Sequence, residues 1–178
     1  MCSITAVNVL GVYYTLRAAG PHISHPRGYA VPISSVGAAV HLPLMGAYSA
    51  SKAAVEALGN TLRIELRPSG ARVGVAYFAE IDTDMTSRGF GTEAAATLTA
   101  RFRGVNRVAP LRLAIDALEH GIARRARRIV APAWAAPVLP LRMLAQPFID
   151  RAVQRDLAAA LEIARGEDAP LTTPQPEA

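Results

Sequence analysis

Apolar side chains recur at helical spacing from the first turns of the chain. Between Thr5 and Ala19, the residues Val9, Leu10, Val12, Tyr13 and Leu16 share one face, which predicts an amphipathic helix. Gly20 and Pro21 read as its end. The pattern then changes. Tyr29-Ala30-Val31-Pro32-Ile33-Ser34-Ser35 is a short apolar run of strand type that finishes in two serines. Gly37 to Met45 reads as a loop. A long helix is predicted from Gly46 to about Leu66, closed by Pro68 and Gly70. Arg72 to Tyr77 is a second apolar strand. Ala109-Pro110 opens another helix, with Leu111, Ala114, Ile115, Leu118 and Ile122 on its apolar face. A short strand, Arg128 to Ala131, follows. A last amphipathic helix runs from about Leu139 to Gly166, interrupted at Pro147. The mixed stretch from Met85 to Val108, with Gly89, Gly91 and Gly104, reads as a mobile lid over a substrate. The tail from Glu167 to Ala178, rich in Pro, Thr and acid, is expected to be disordered. Strands alternating with helices predict an α/β fold with a parallel sheet.

Composition narrows the class. The 178 residues fit one domain, 1–166, with a real core. Half of them are apolar and few are aromatic, as in a helix-rich soluble protein. The lone Cys2 rules out a disulfide within the chain and a cysteine metal site. It favours a reducing, cytoplasmic setting. His22 and His25 share a polar loop without an obvious third ligand, so no metal is expected.

The net charge is +5, with dispersed basic residues. The densest run, Arg124-Arg125-Ala126-Arg127-Arg128, reads as cations complementing a helix C-terminus. No aromatic side chains interleave with it, so nucleic acid is not an expected partner. No signal peptide is evident, and no apolar run approaches the roughly 18 residues of a membrane span. The nearest, Ile129 to Ile149, is broken by four prolines and Arg142. It is expected to cover a substrate pocket or meet a partner subunit rather than a membrane.

Candidate chemistry centres on Gly46-Ala47-Tyr48-Ser49-Ala50-Ser51-Lys52, at the opening of the long helix. Tyr48 and Lys52 are four apart and project from one face. A phenol is a weak acid near neutrality, and a nearby ammonium and the helix N-terminus both favour its phenolate. The pair therefore suits general acid/base work on a carbonyl or an alcohol. Ser35 stands thirteen positions before Tyr48, at the C-terminal end of a predicted strand, where α/β folds place functional side chains. Ser34 is the weaker serine candidate. Asn8 lies early in the first helix. Ile81-Asp82-Thr83 follows the second strand.

Taken together, Asn8, Ser35, Tyr48-x-x-x-Lys52 and Ile81-x-Thr83 resemble the short-chain dehydrogenases/reductases in order and spacing. The resemblance covers about Ile4 to Pro132. It implies the C-terminal part of a Rossmann-type doubly wound parallel sheet, about three strands flanked by helices. It also implies an oxidoreductase that interconverts an alcohol and a carbonyl with NAD or NADP. Tyr48 would exchange the proton, and Lys52 would lower its pKa and hold the nicotinamide ribose. Ser35 would position the substrate oxygen, and Asn8 would support a water linking Lys52 to solvent. Ile81 and Thr83 would reach the nicotinamide carboxamide. Phe78-Ala79 replaces the family's usual Pro-Gly, so Phe78 is expected to stack on the ring. The Asn8 and Tyr48 helices would form a four-helix interface in a homo-oligomer, helped by Ala50, Ala53, Ala54, Ala57 and Gly59.

The glycine-rich turn that opens this family's nucleotide-binding half has no counterpart here. About one hundred residues of such a fold are expected to precede this sequence. Two readings stay open: an oxidoreductase polypeptide, or a non-catalytic remnant that assembles through its helices. A remnant would leave the strand ending at Ser35 as an apolar edge and would be marginally stable alone.

Overall fold

The computed structural model describes residues 2–83, 93–99 and 108–166. Its centre is a parallel sheet. Strands β1 (Tyr29–Ala30) and β2 (Ile33–Ser35) pair with β3 (Arg72–Val73) and β4 (Val75–Phe78), and β4 pairs with β5 (Arg128–Ala131). Tyr29 faces Arg72 and Ile33 faces Ala76, so one register runs through both pairs. The ladder is interrupted at Pro32, which has no N–H to give, and at Gly74. Backbone bonds from Gly74 N to Ala30 O and from Ala76 N to Pro32 O bridge the gap. The two expected strands thus each form as two pieces of one line. The sheet has three strands in effect, as expected, with β3 and β4 in the middle.

The central strand is buried on both sides, the normal state of a parallel sheet covered by helices. Val73, Val75, Ala76 and Tyr77 are all buried, and Ala39, Val75, Tyr77 and Leu139 form one apolar cluster. Among the described residues β2 has one ladder partner, β4. Ile33 on that edge is exposed.

Helices flank the sheet. α1 (Cys2–Thr5) passes through a π-helical turn, Ala6–Gly11, into α2 (Val12–Ile23). The expected stop at Gly20-Pro21 does not occur. Pro21 sits inside the last turns of α2, where its missing N–H removes one bond, and the helix ends at Ser24. The Ser24 hydroxyl donates to Gly20 O, satisfying a carbonyl near that end. α3 (Gly46–Glu65) is the predicted long helix. It packs on the sheet through Gly59. A Cβ there would stand 2.6 Å from Val75 Cγ2 and 2.9 Å from Pro32 Cγ. The small residue therefore serves helix-to-sheet contact, whereas helix-to-helix contact was expected. Ala50 and Ala57 face outward.

α5 (Leu111–Ala123) buries a narrower stripe than its sequence suggests. Ala114 and Gly121 face inward, while Leu111, Ile115 and Ile122 are exposed. The apolar arc is wider than the single sheet face it covers.

The C-terminal layer holds the largest departures. α4 (Glu93–Thr99) lies within the expected lid, yet its Leu98 is buried against Val153 and Ala160. The rest of that stretch, 84–92 and 100–107, lies outside the described residues, as does the tail 167–178. The predicted last helix is two: α6 (Arg142–Val153) and α7 (Leu157–Gly166). The break falls at Gln154–Asp156, and the helix continues through Pro147, giving up one backbone bond. Leu42, from the loop before α3, inserts among Leu98, Val153 and Ala160. No helix among the described residues is long and apolar enough to cross a membrane.

Candidate active site

The C-terminal end of β2 meets the first turns of α3. Ser35 ends the strand in extended conformation, and its hydroxyl accepts from Gly37 N at 3.0 Å. This local bond turns the chain into a short 3-10 turn, Val36–Ala38. Tyr48 lies against that turn: a Cβ on Gly37 would be 3.2 Å from Tyr48 Cε1. The glycine leaves room for the ring. Ser35 also donates to Phe78 O at 3.1 Å, across the ladder. A hydrogen bond joins Ser35 to the Tyr48 phenol. That bond favours the phenolate, so the Ser35 hydroxyl donates to it, and the same proton is shared with Phe78 O. If the phenolate forms, the Ser35 proton can turn fully toward it.

Lys52, one turn on, places its ammonium over the Tyr48 ring, 5.8 Å from the centroid. It donates to Ile33 O at 3.2 Å. In a parallel ladder successive carbonyls alternate sides. Pro32 O is bonded to Ala76 N, so Ile33 O faces away from β4. A second bond fixes the same junction: Ser34 donates to Lys52 O at 2.8 Å. Ser34 is thus a brace between strand and helix, and Ser35 is the serine at the phenol.

Asn8 joins from the π-helical turn. Its amide donates to Ser51 Oγ at 3.1 Å, and Ser51 donates to Tyr48 O at 2.7 Å. π-turns are uncommon and cluster at functional sites. Ser51 is buried and was not singled out from the sequence. The available signal was a hydroxyl three residues after Tyr48, flanked by Ala50 and Lys52 on a helix that otherwise buries small residues. Asn8 therefore reaches the neighbour of Lys52 rather than Lys52 itself.

Electrostatics depart from expectation. Burial raises the Tyr48 phenol above its ordinary value, and the Ser35 hydrogen bond offsets part of this. Burial lowers the Lys52 ammonium. The expected depression of Tyr48 by Lys52 is not the outcome in this chain. Both groups are desolvated, and the ammonium is engaged by a carbonyl at the strand edge. The phenol is the stable form near neutrality.

Phe78, Ile81 and Thr83 lie along one segment beyond β4. Ile81 is held by a bridge to Ala109, with Asp82 N bonded to Ala109 O and Ala109 N to Glu80 O. Thr83 Oγ1 lies 3.5 Å from Ile81 O. The Phe78 side chain packs on the cluster of Ile81, Ala109 and Ala114. It fills the space beside α5, and only its carbonyl touches Ser35. Ser35, Tyr48 and Lys52 thus converge directly, Asn8 through Ser51, and Phe78 through its backbone. No group of three or more His, Cys, Asp or Glu side chains suited to a metal occurs among the described residues.

Above this junction α6 is pinned by two paired contacts on one face. Arg142 forks onto Glu56 of α3 at 3.0 and 3.3 Å. Gln146, one turn later, bonds both His41 N and His41 O. The loop that separates Ser35 from Tyr48 is therefore strapped to α6. Leu44 in that loop has φ of 66°, an unusual value for a bulky side chain.

This arrangement has counterparts in known proteins. The sequence profile described as "short chain dehydrogenase" matches residues 2–100, more than half of the chain. The chain is 30% identical over 148 residues to 11-beta-hydroxysteroid dehydrogenase-like 2 of Arabidopsis thaliana, covering 83% of this chain and 46% of that protein. It is 35% identical over 92 residues to the NADPH-dependent 1-acyldihydroxyacetone phosphate reductase of Schizosaccharomyces pombe, covering 52% and 31%. The fold superposes on a short chain dehydrogenase from Burkholderia cenocepacia, crystallised with NADP, with a TM-score of 0.64. Identity there is 26%, over 83% of this chain and 57% of that one. A short chain dehydrogenase/reductase from Burkholderia phymatum shows the same fold at a TM-score of 0.57 and 24% identity. The chain spans less than half the length of the curated relatives named here. Profile, relatives and the Ser35–Tyr48–Lys52 junction agree, and the chain belongs to the short-chain dehydrogenase family.

Proposed function

We propose that this chain carries the catalytic side of an NAD- or NADP-dependent oxidoreductase that interconverts a small alcohol and its carbonyl. The observation that carries this reading is the hydrogen bond between Ser35 and the Tyr48 phenol, with the Lys52 ammonium over the same ring. The donor set fits a nicotinamide riboside. Lys52 has three N–H bonds and gives one to Ile33 O, which leaves two for a pair of ribose hydroxyls. The NADP in the Burkholderia cenocepacia structure and the NADPH in the name of the fission-yeast relative support a cofactor of this class.

A bound nicotinamide supplies or accepts the hydride. The chain's own residues handle the proton and the geometry. In the reducing direction Tyr48, kept protonated by burial, gives its phenolic proton to the carbonyl oxygen. Ser35 turns its proton from Phe78 O to that oxygen and stabilises the developing charge. Lys52 stabilises the phenolate that remains. In the oxidising direction the phenolate takes the alcohol proton, so oxidation is favoured by alkaline conditions. Asn8, through Ser51, fixes the start of α3 and hence the phenol. Ile81 and Thr83 would border the carboxamide of a bound nicotinamide.

The test measures both redox directions with NADH and NADPH on a panel of ketones and secondary alcohols. Tyr48→Phe is expected to lower turnover by about 10²–10⁴-fold, the range of general acid/base catalysis. Unchanged turnover in Tyr48→Phe removes the proposal.

The assembly reading keeps its own support. Val7, Leu10 and Tyr14 are exposed along the first helix, and Ala50 and Ala57 along α3. A homo-oligomer through these helices is expected to appear as a dimer or larger species in sedimentation. It would be dissociated by Leu10→Glu together with Tyr14→Glu. A monomeric parent chain would overturn it.

A further inference from the structure

The end of the sheet opposite Tyr48 gathers arginines that are scattered in the sequence. Arg27 precedes β1, Arg72 opens β3, and Arg128 opens β5. Arg67 lies in the turn after α3. Arg124 caps α5, and Arg127 joins it to β5. Backbone bonds draw these segments together: Arg72 N donates to Gly28 O, and Val75 N to Arg127 O. All six side chains are exposed. None takes part in an ion pair among the described residues, where the three pairs are Arg112–Asp116, Arg142–Glu56 and Arg165–Glu162.

Two further arginines at this end do structural work. Arg63 donates to Val73 O at 2.7 Å and to Arg127 O at 3.4 Å. Arg125 donates to Gly28 O at 2.6 Å. The run at 124–128 was expected to cap its own helix; its one bonded side chain instead crosses to the loop before β1. The C-termini of α2, α3 and α5 also point this way and offset part of the charge. Each is worth about half a negative charge, roughly one and a half in all, against six unpaired guanidinium groups. Glu65 and Glu119, the acidic residues at the ends of α3 and α5, make no ion pair there. The surplus is several positive charges on one pole.

We propose that this pole docks the protein on an anionic lipid bilayer as a peripheral surface. Clusters of four to eight basic side chains suit such a surface, and guanidinium groups match phosphate and carboxylate headgroups. Ile64, 74% exposed in the last turn of α3, and Ile122, exposed in the last turn of α5, stand between the arginines in sequence. They are placed to contact the acyl boundary. A nucleic acid would share the charge requirement, but among the described residues the pole offers no exposed Phe, Tyr or Trp for base stacking. Docked this way, the opposite end of the sheet, with Tyr48, faces away from the lipid.

The test is co-sedimentation of the 178-residue chain with phosphatidylcholine vesicles, with and without phosphatidylserine, in low and high salt. Binding is expected only with phosphatidylserine and is expected to fall as salt rises. Arg67→Gln with Arg72→Gln should lower partitioning by at least about twentyfold, from about fivefold per arginine. Arg27→Gln with Arg124→Gln, on other segments, should do the same. Lysine at these positions should retain binding. Arg112→Gln, away from the pole, should change nothing. Circular dichroism confirms that each variant is folded. Equal binding to neutral vesicles, or full binding by both glutamine pairs, overturns the proposal. So does tighter binding to duplex DNA or RNA than to phosphatidylserine at equal phosphate concentration.

Discussion

The two ends of the same sheet treat polar groups in opposite ways. At the C-terminal end, the side chains of Asn8, Ser35 and Lys52 donate at 3.1–3.2 Å, and the Ser35 and Lys52 donors can turn to a ligand. At the N-terminal end, Arg63 and Arg125 are fastened to backbone carbonyls of other segments. The first end is arranged so that a proton can change partners. The second is arranged so that three loops cannot separate. Chemistry and cohesion are thus divided along the strand direction, and substitutions at the two ends should be separable by what they change.

The sharpest break is Tyr48→Phe. The expected loss of turnover, about 10²–10⁴-fold, should come with little change in stability, because only a partly redundant hydrogen bond is removed. A large drop in the urea midpoint would mean that the phenol is structural after all. Arg63→Met tests the other end. It removes three bonds from a charged donor, to Val73 O, Arg127 O and Asn60 Oδ1, worth about 2–3 kcal/mol together at this partly exposed site, and should leave the alkaline titration of Tyr48 unaltered. Denaturant unfolding measures the first quantity and ultraviolet difference titration the second.

Alkaline pH should weaken the middle of the sheet. Burial, with Glu56 adding, pushes Tyr77 up to about 12. Its folded value lies above the unfolded one, so its contribution is complete below about pH 10 and is lost as pH climbs toward 12. Tyr29 and Tyr48 shift in the same direction, whereas Lys52, lowered by burial, opposes them. The urea midpoint should therefore fall above about pH 10, and less steeply in Tyr77→Phe. An identical slope in that variant would assign the fall elsewhere. The smallest effect expected is for Arg142→Ala. Its pair with Glu56 is partly exposed, so about 1 kcal/mol or less is at stake. Limited proteolysis should then cut the loop around Leu44 faster than in the parent chain.

Much of the catalytic end was legible because its information is local. Tyr48 and Lys52 are one helical turn apart, and Ser35 ends a strand whose apolar run is plain. The bounds of β5 follow from its own short apolar run, Arg128 to Ala131. What the sequence hid depends on contacts between distant segments. Nothing near Asn8 announces Ser51, forty-three residues away. Gly59 looks like a helix-contact residue until Val75 and Pro32 are placed beneath it. Pro21 and Pro147 read as breaks, yet both helices tolerate one missing bond. The pKa of Tyr48 departs from expectation because burial, invisible in sequence, raises it by more than the Ser35 hydrogen bond lowers it. The arginine pole escaped notice because its members are spread over about one hundred positions.

The contact between Lys52 and Ile33 O has a bearing on solubility. An outer strand with open backbone acceptors invites another copy of itself to add on. Here a charged side chain from the overlying helix plugs the acceptor at the start of β2. A ligand that draws the ammonium away frees that acceptor for another donor, so ligand occupancy and backbone pairing on this side of the described sheet are tied through one lysine.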